Sequence, residues 1–161
     1  MFKRALSIFL VVLGLSVSSF AQAQQDDRSL ALSFGTFGVL DTEELFEVSL
    51  EYRAREIGYG LRPIVGASVL QDGGNYVFAG LRYEHELGAK WEVAPSFAAG
   101  IYSAGSIDLG GPLEFRSGLD VSRRITDDLS FGVGFYHLSN GGLYSLNGGS
   151  ESLVFTFGYD F

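Results

Sequence analysis

Period-two alternation of apolar and polar residues, recurring eight times, is the feature that most limits what this chain can become. Near the C-terminus, SLVFTFGYDF sends Leu153, Phe155, Phe157, Tyr159 and Phe161 one way and Thr156, Gly158 and Asp160 the other. Such alternation is the signature of a β-strand with two different faces. Phe46, Val48, Leu50 and Tyr52 repeat it against Glu47, Ser49, Glu51 and Arg53, and Leu113, Phe115, Leu119 and Val121 against Glu114, Arg116, Gly118 and Asp120. Five further segments, around residues 30–34, 61–69, 79–83, 91–101 and 131–135, follow the same rule, with turn-rich stretches such as QDGG and GAK between them.

Eight two-faced strands close into a barrel in one of two senses. A soluble barrel keeps its apolar face inside; a membrane barrel turns it outward. The second face here carries Glu47, Glu51, Arg53, Arg62, Arg82, Glu84, Glu92, Glu114, Arg116 and Asp120 among small residues. Paired charges of that kind suit a narrow lumen, and the aromatic-rich face suits lipid. The expectation is therefore all-β, an eight-stranded antiparallel transmembrane β-barrel. Tyr52, Tyr83, Trp91 and Tyr159 lie near strand ends, where an aromatic girdle belongs. Pro63 and Pro95 fall inside strands, each removing one ladder donor.

The N-terminus supplies the compartment. Lys3 and Arg4 precede the apolar run LSIFLVVLGLSV, and Ala21-Gln22-Ala23 is a small-x-small cleavage site. Residues 1–23 read as a secretory signal peptide and 24–161 as the barrel domain. Removing residues 1–23, which hold Lys3 and Arg4 and no acid, leaves 138 residues with nine basic and nineteen acidic side chains. That acidic balance argues against nucleic acid as a partner. With no cysteine, the exported chain has neither disulfides nor thiolate chemistry.

An even strand number puts both termini on one side, which in these barrels is periplasmic. Connections near 40–45, 70–75, 102–112 and 140–150 are then extracellular, and those near 54–60, 88–90 and 124–128 periplasmic. One stretch, FYHLSNGGLYSLNGGSESLVF, breaks the apolar pattern at the outer end. His137 and Ser139 share parity with Phe131, Val133 and Phe135, and Glu151 shares it with Leu153 and Phe155. All three polar residues therefore face the bilayer, where polar groups are costly. His137 and Ser139 are roughly 7 Å apart at Cα, and Glu151 lies opposite or diagonal to His137 across the hairpin. A carboxylate that orients an imidazole, and an imidazole that deprotonates a hydroxyl, follow the logic of a serine hydrolase.

The HLSN motif, with a glutamate twelve residues beyond its serine, resembles the lipid A 3-O-deacylases of the Gram-negative outer membrane, the PagL family. That resemblance implies Ser139 as nucleophile, His137 as general base and Glu151 as its orienting partner. It also implies Asn147 and the Gly142 N–H as oxyanion donors and Asn140 as a supporting neighbour. The implied substrate is lipopolysaccharide, through its lipid A, in the outer leaflet, with no cofactor; a homodimer is one arrangement compatible with it. The same triad would serve another outer-membrane lipid esterase or phospholipase, and a structural or adhesive barrel would need none.

Elsewhere the chemistry is thin. His85 has no second His or Cys nearby for a metal, so no metal site is expected, and it reads as interfacial. The outer loops carry Asp41, Glu43, Glu44, Asp72 and Asp108 with almost no cations, an odd endowment for a protein that meets lipid phosphates.

Overall fold

The computed structural model describes residues 27–161, so the expected signal peptide and its cleavage site lie outside the described residues. Nine strands follow in order: β1 (Ser29–Phe37), β2 (Leu45–Arg53), β3 (Leu61–Leu70), β4 (Asn75–Tyr83), β5 (His85–Leu87), β6 (Trp91–Ser103), β7 (Leu113–Arg124), β8 (Leu129–Ser139) and β9 (Ser150–Asp160). Every pairing is antiparallel between neighbours, β1 pairs with β9, and β4 pairs with β6, so the sheet closes on itself.

The barrel has eight staves. β4 and β5 keep one register against β6, with Arg82 opposite Ser96 and His85 opposite Val93, and are one stave interrupted at Glu84. Pro95, which has no N–H to donate, lies in β6 across from the interruption. Pro63 sits where β2 is ending; its carbonyl accepts from the Ala54 N–H. Both prolines thus fall where the ladder tolerates a missing donor.

The apolar face points outward, as its parity predicts. Val65, Phe97, Phe135, Phe155 and Phe157 are among the exposed large hydrophobics, whereas Glu47, Glu51, Arg53, Arg82, Arg116 and Asp120 on the other face are buried. Closure removes every sheet edge, and the exposed apolar belt then requires a hydrocarbon solvent. Tyr52, Tyr83, Trp91 and Tyr159 all lie toward the end of the barrel that holds the termini, forming one girdle there.

The lumen departs from a uniformly polar filling. In its middle, Arg82 donates to Asp120 at 2.8 Å and Glu92 at 2.9 Å, and Arg116 to Glu51 at 2.7 Å. The Arg116 guanidinium lies 3.8 Å from the centroid of Phe78 and 4.3 Å from that of Tyr136, whose hydroxyl donates to Asp120. Toward the outer end Phe37, Leu45, Leu70, Tyr76, Tyr102, Leu109 and Leu138 pack as a hydrophobic plug, with the buried carboxylates of Glu47 and Glu114 on the same inward face. Parity assigns a residue to a face but not to a depth. The outer end of this lumen excludes water with side chains, as the interior of a small barrel must. A vestibule of about 250 Å³, lined by Arg53, Arg62, Glu84, Glu92 and Arg124 among others, opens at the opposite end.

Candidate active site on the lipid face

The register across the last hairpin brings the three polar residues together. His137 of β8 is the direct Cα partner of Glu151 of β9. The His137 Nδ1 lies 2.9 Å from Glu151 Oε1, with the imidazole side chain 44 % exposed and the carboxylate 21 %. A carboxylate accepts only, so Nδ1 carries the proton and Nε2 is left as the basic nitrogen. Ser139 follows on the same face of β8, opposite Phe115 of β7. Among the described residues no hydrogen bond joins its hydroxyl to the ring. Such contacts often form only when substrate arrives.

The backbone of Glu151 is held from behind. Gly38 and Val39, in the loop after β1, donate their N–H groups to the Glu151 carbonyl at 2.8 and 3.1 Å. Gly38 has φ 80°, a left-handed turn conformation that suits a residue without a Cβ. Next to Glu151, the Ser150 hydroxyl donates to Asp41 at 2.7 Å.

The loop between β8 and β9 is tied down by Asn140, whose side chain is fully buried. Its amide nitrogen donates to the carbonyls of Leu109 and Leu146, both at 2.8 Å. Its Oδ1 accepts the Gly142 N–H at 2.9 Å. The Gly142 N–H, expected from the sequence to face an oxyanion, is thus bonded to Asn140. Asn147 comes to the backbone immediately after Ser139: its Oδ1 accepts the Asn140 N–H at 3.2 Å.

Two contributors are not visible in the motif. Gly149, at φ 43°, sits beside the imidazole, where a Cβ would stand 3.1 Å from His137 Cε1. The GG pair before Ser150 was the available sign. Phe115 forms a wall beside Ser139; its ring is 3.6 Å from where a Cβ on Gly141 would be, and it stacks on Phe97 at 5.9 Å.

The acidic outer loops have a structural account. Asp72 accepts from the Gly74 N–H and from the N–H and hydroxyl of Ser106, Glu43 shares that hydroxyl, and Asp108 accepts the Gly110 N–H. These carboxylates brace loops. His85 stacks on Tyr83 within the girdle, 6.3 Å between centroids, in keeping with an interfacial residue.

Fold and site together define a class: an outer-membrane β-barrel that carries Ser, His and Glu on its lipid face. Residues 65–160 fit the model of the lipid A 3-O-deacylases (PagL), and the chain belongs to that family. Among solved structures, the outer-membrane enzyme PagL superposes with a TM-score of 0.63 at 18 % identity, covering 83 % of this chain and 99 % of that one. Neisserial surface protein A follows at 0.59 and 14 %, covering 83 % and 96 %. A designed transmembrane β-barrel reaches 0.61 at 12 %, covering 87 % and 100 %. At those identities the likeness is one of fold. No curated protein matches the chain in sequence.

Proposed function

We propose that this chain is a serine esterase that hydrolyses the 3-position acyl ester of lipid A in the outer leaflet, releasing a 3-hydroxy fatty acid. The observation that carries the reading is the 2.9 Å contact between His137 Nδ1 and Glu151 Oε1, on the lipid face and two residues from Ser139. A buried or lumenal pair would have been structural. This one faces the solvent in which acyl esters are dissolved.

The chemistry follows from the residues. Ser139 Oγ attacks the ester carbonyl while His137 Nε2 takes its proton, and Glu151 stabilises the imidazolium that results. Asn147 Nδ2 donates to the oxyanion. The imidazolium then protonates the departing sugar oxygen, leaving the acyl group on Ser139. Water, deprotonated by the same nitrogen, attacks that acyl-enzyme, and the fatty acid leaves as Ser139 regains its proton. Membrane confinement of enzyme and substrate supplies much of the positioning that a soluble esterase builds as a pocket.

Purified protein in detergent micelles tests the proposal. Incubation with lipid A should release one 3-hydroxy fatty acid per molecule and leave the amide-linked chains in place. Release of fatty acid from glycerophospholipid, with lipid A intact, would point instead to a phospholipase.

A further inference from the structure

On the lipid face of β7, Leu113, Phe115, Leu119 and Val121 are interrupted by one polar side chain, Ser117. Ser117 is the direct Cα partner of His137, while Phe115 is the partner of Ser139. On its other side it is paired with Phe97 of β6. The serine is exposed and lies between larger side chains: Phe115 and Leu119 along its strand, Phe97 and His137 across. The small side chain thus stands next to the strand position of His137 and beside the Phe97–Phe115 stack. Its hydroxyl makes no hydrogen bond among the described residues. An unpaired hydroxyl facing hydrocarbon is costly, and a ligand hydroxyl would remove that cost.

We propose that Ser117 is a specificity-determining residue, whose hydroxyl recognises the 3-hydroxyl of the acyl chain being cleaved. The inference rests on the esterase reading above. An ester carbonyl at Ser139 directs its chain toward the bilayer centre, along the β7–β8 seam. Two residues of strand advance about 7 Å along a stave tilted by roughly 40°, so Ser117 lies about 5 Å deeper than Ser139. The third carbon of a chain held at its carbonyl occupies that interval. Direct strand partners have Cβ atoms about 5 Å apart, so a substrate hydroxyl beside the imidazole is within reach of Ser117 Oγ. Below this level Phe135, Val133, Leu119 and Val121 offer hydrocarbon alone.

The test compares kcat/KM for two glucosamine lipids that differ only in the esterified chain, one 3-hydroxylated and one unsubstituted, in the same micelles. The wild-type protein should prefer the hydroxylated ester. Ser117→Ala should lower the ratio of the two constants about tenfold, as expected for loss of one hydrogen bond that discriminates substrates. Ser117→Thr, which keeps a hydroxyl, should retain most of the preference. Equal losses on both esters, or an unchanged ratio in Ser117→Ala, would overturn the assignment, as would a wild-type protein without preference. Ser139→Ala separates the two readings: if it still cleaves both esters, the serine-esterase mechanism fails, whatever the ratio shows.

Discussion

His137 and Glu151 are direct partners across the β8–β9 ladder, and their side chains meet at 2.9 Å on the lipid side of the wall. Backbone register, not a flexible loop, fixes the pair. Removing the carboxylate should therefore leave the ring near its place but free to turn. Glu151→Ala should lower kcat strongly, but by less than Ser139→Ala or His137→Ala, as the carboxylate of a Ser-His-acid triad does. Ser139→Ala and His137→Ala should each lose on the order of 10³-fold or more, and their double variant little beyond that, because the two act as a unit. Additive losses, measured by fatty-acid release from micellar lipid A, would contradict this coupling.

Gly149 occupies the edge of the same ring. Gly149→Val places bulk against Cε1 and forces a β-branched residue into a left-handed conformation, so it should displace the imidazole from Glu151. Activity should fall more than about tenfold while the barrel assembles, since strain at a single site costs on the order of 1–3 kcal/mol. Heat-dependent electrophoretic mobility checks assembly, and the rate checks the ring.

The strands and the meeting of His137 with Glu151 were legible in the sequence for one physical reason. Lipid makes the outer face uniformly apolar, so a His, a Ser and a Glu of outward parity stand out, and parity also sets which strand neighbours can meet. The clasp from Asn140 to Leu109 was not legible, because it joins two loops 31 residues apart that have no periodicity to align them. Nor was the aromatic and aliphatic filling of the outer lumen, where Tyr76 and Phe78 pack at 5.3 Å between ring centroids. Apolar residues of inward parity look like breaks in the pattern until their common depth is known.

Asn140→Ala should test that clasp. Two carbonyls and one N–H lose their partner together, a cost of about 1–3 kcal/mol for each group left buried and unsatisfied. Protease nicking within residues 141–149 should accelerate while the unheated barrel keeps its fast mobility. Unchanged nicking would mean that the loop is held by other contacts.

The lumenal charges should behave differently from those at the rim. Arg82 is 1 % exposed and bonded to Asp120 and Glu92, whereas Arg124 and Glu86 are 3.8 Å apart and largely in solvent. Arg82→Ala should destabilise the barrel by about 3–5 kcal/mol, because it strands buried carboxylates. Arg124→Ala should change little. Urea midpoints for folding into detergent would show the contrast.

Acid should loosen the outer loops at a defined point. Burial works against the charge on Asp72, but N–H groups of Ser106 and Gly74 and the Ser106 hydroxyl outweigh it and hold the carboxyl below its ordinary value. A depressed carboxyl stabilises the folded loops above the pKa of an unstructured aspartate, about 3.9, and that contribution is lost as pH falls through the lower folded value. Amide protection at Gly74 and Ser106 should hold at neutral pH and fall in that acidic window. Asp72→Asn should remove the pH dependence.

The mass spectrum of lipid A from cells expressing the chain, set beside that from cells expressing Ser139→Ala, tests the central claim most directly. The wild-type spectrum should show lipid A lighter by one 3-hydroxyacyl unit, with the ester at the 3-position gone, and the Ser139→Ala spectrum should match that of cells without the gene. Lipid A of unchanged mass in cells whose outer membrane contains the folded wild-type barrel would contradict it.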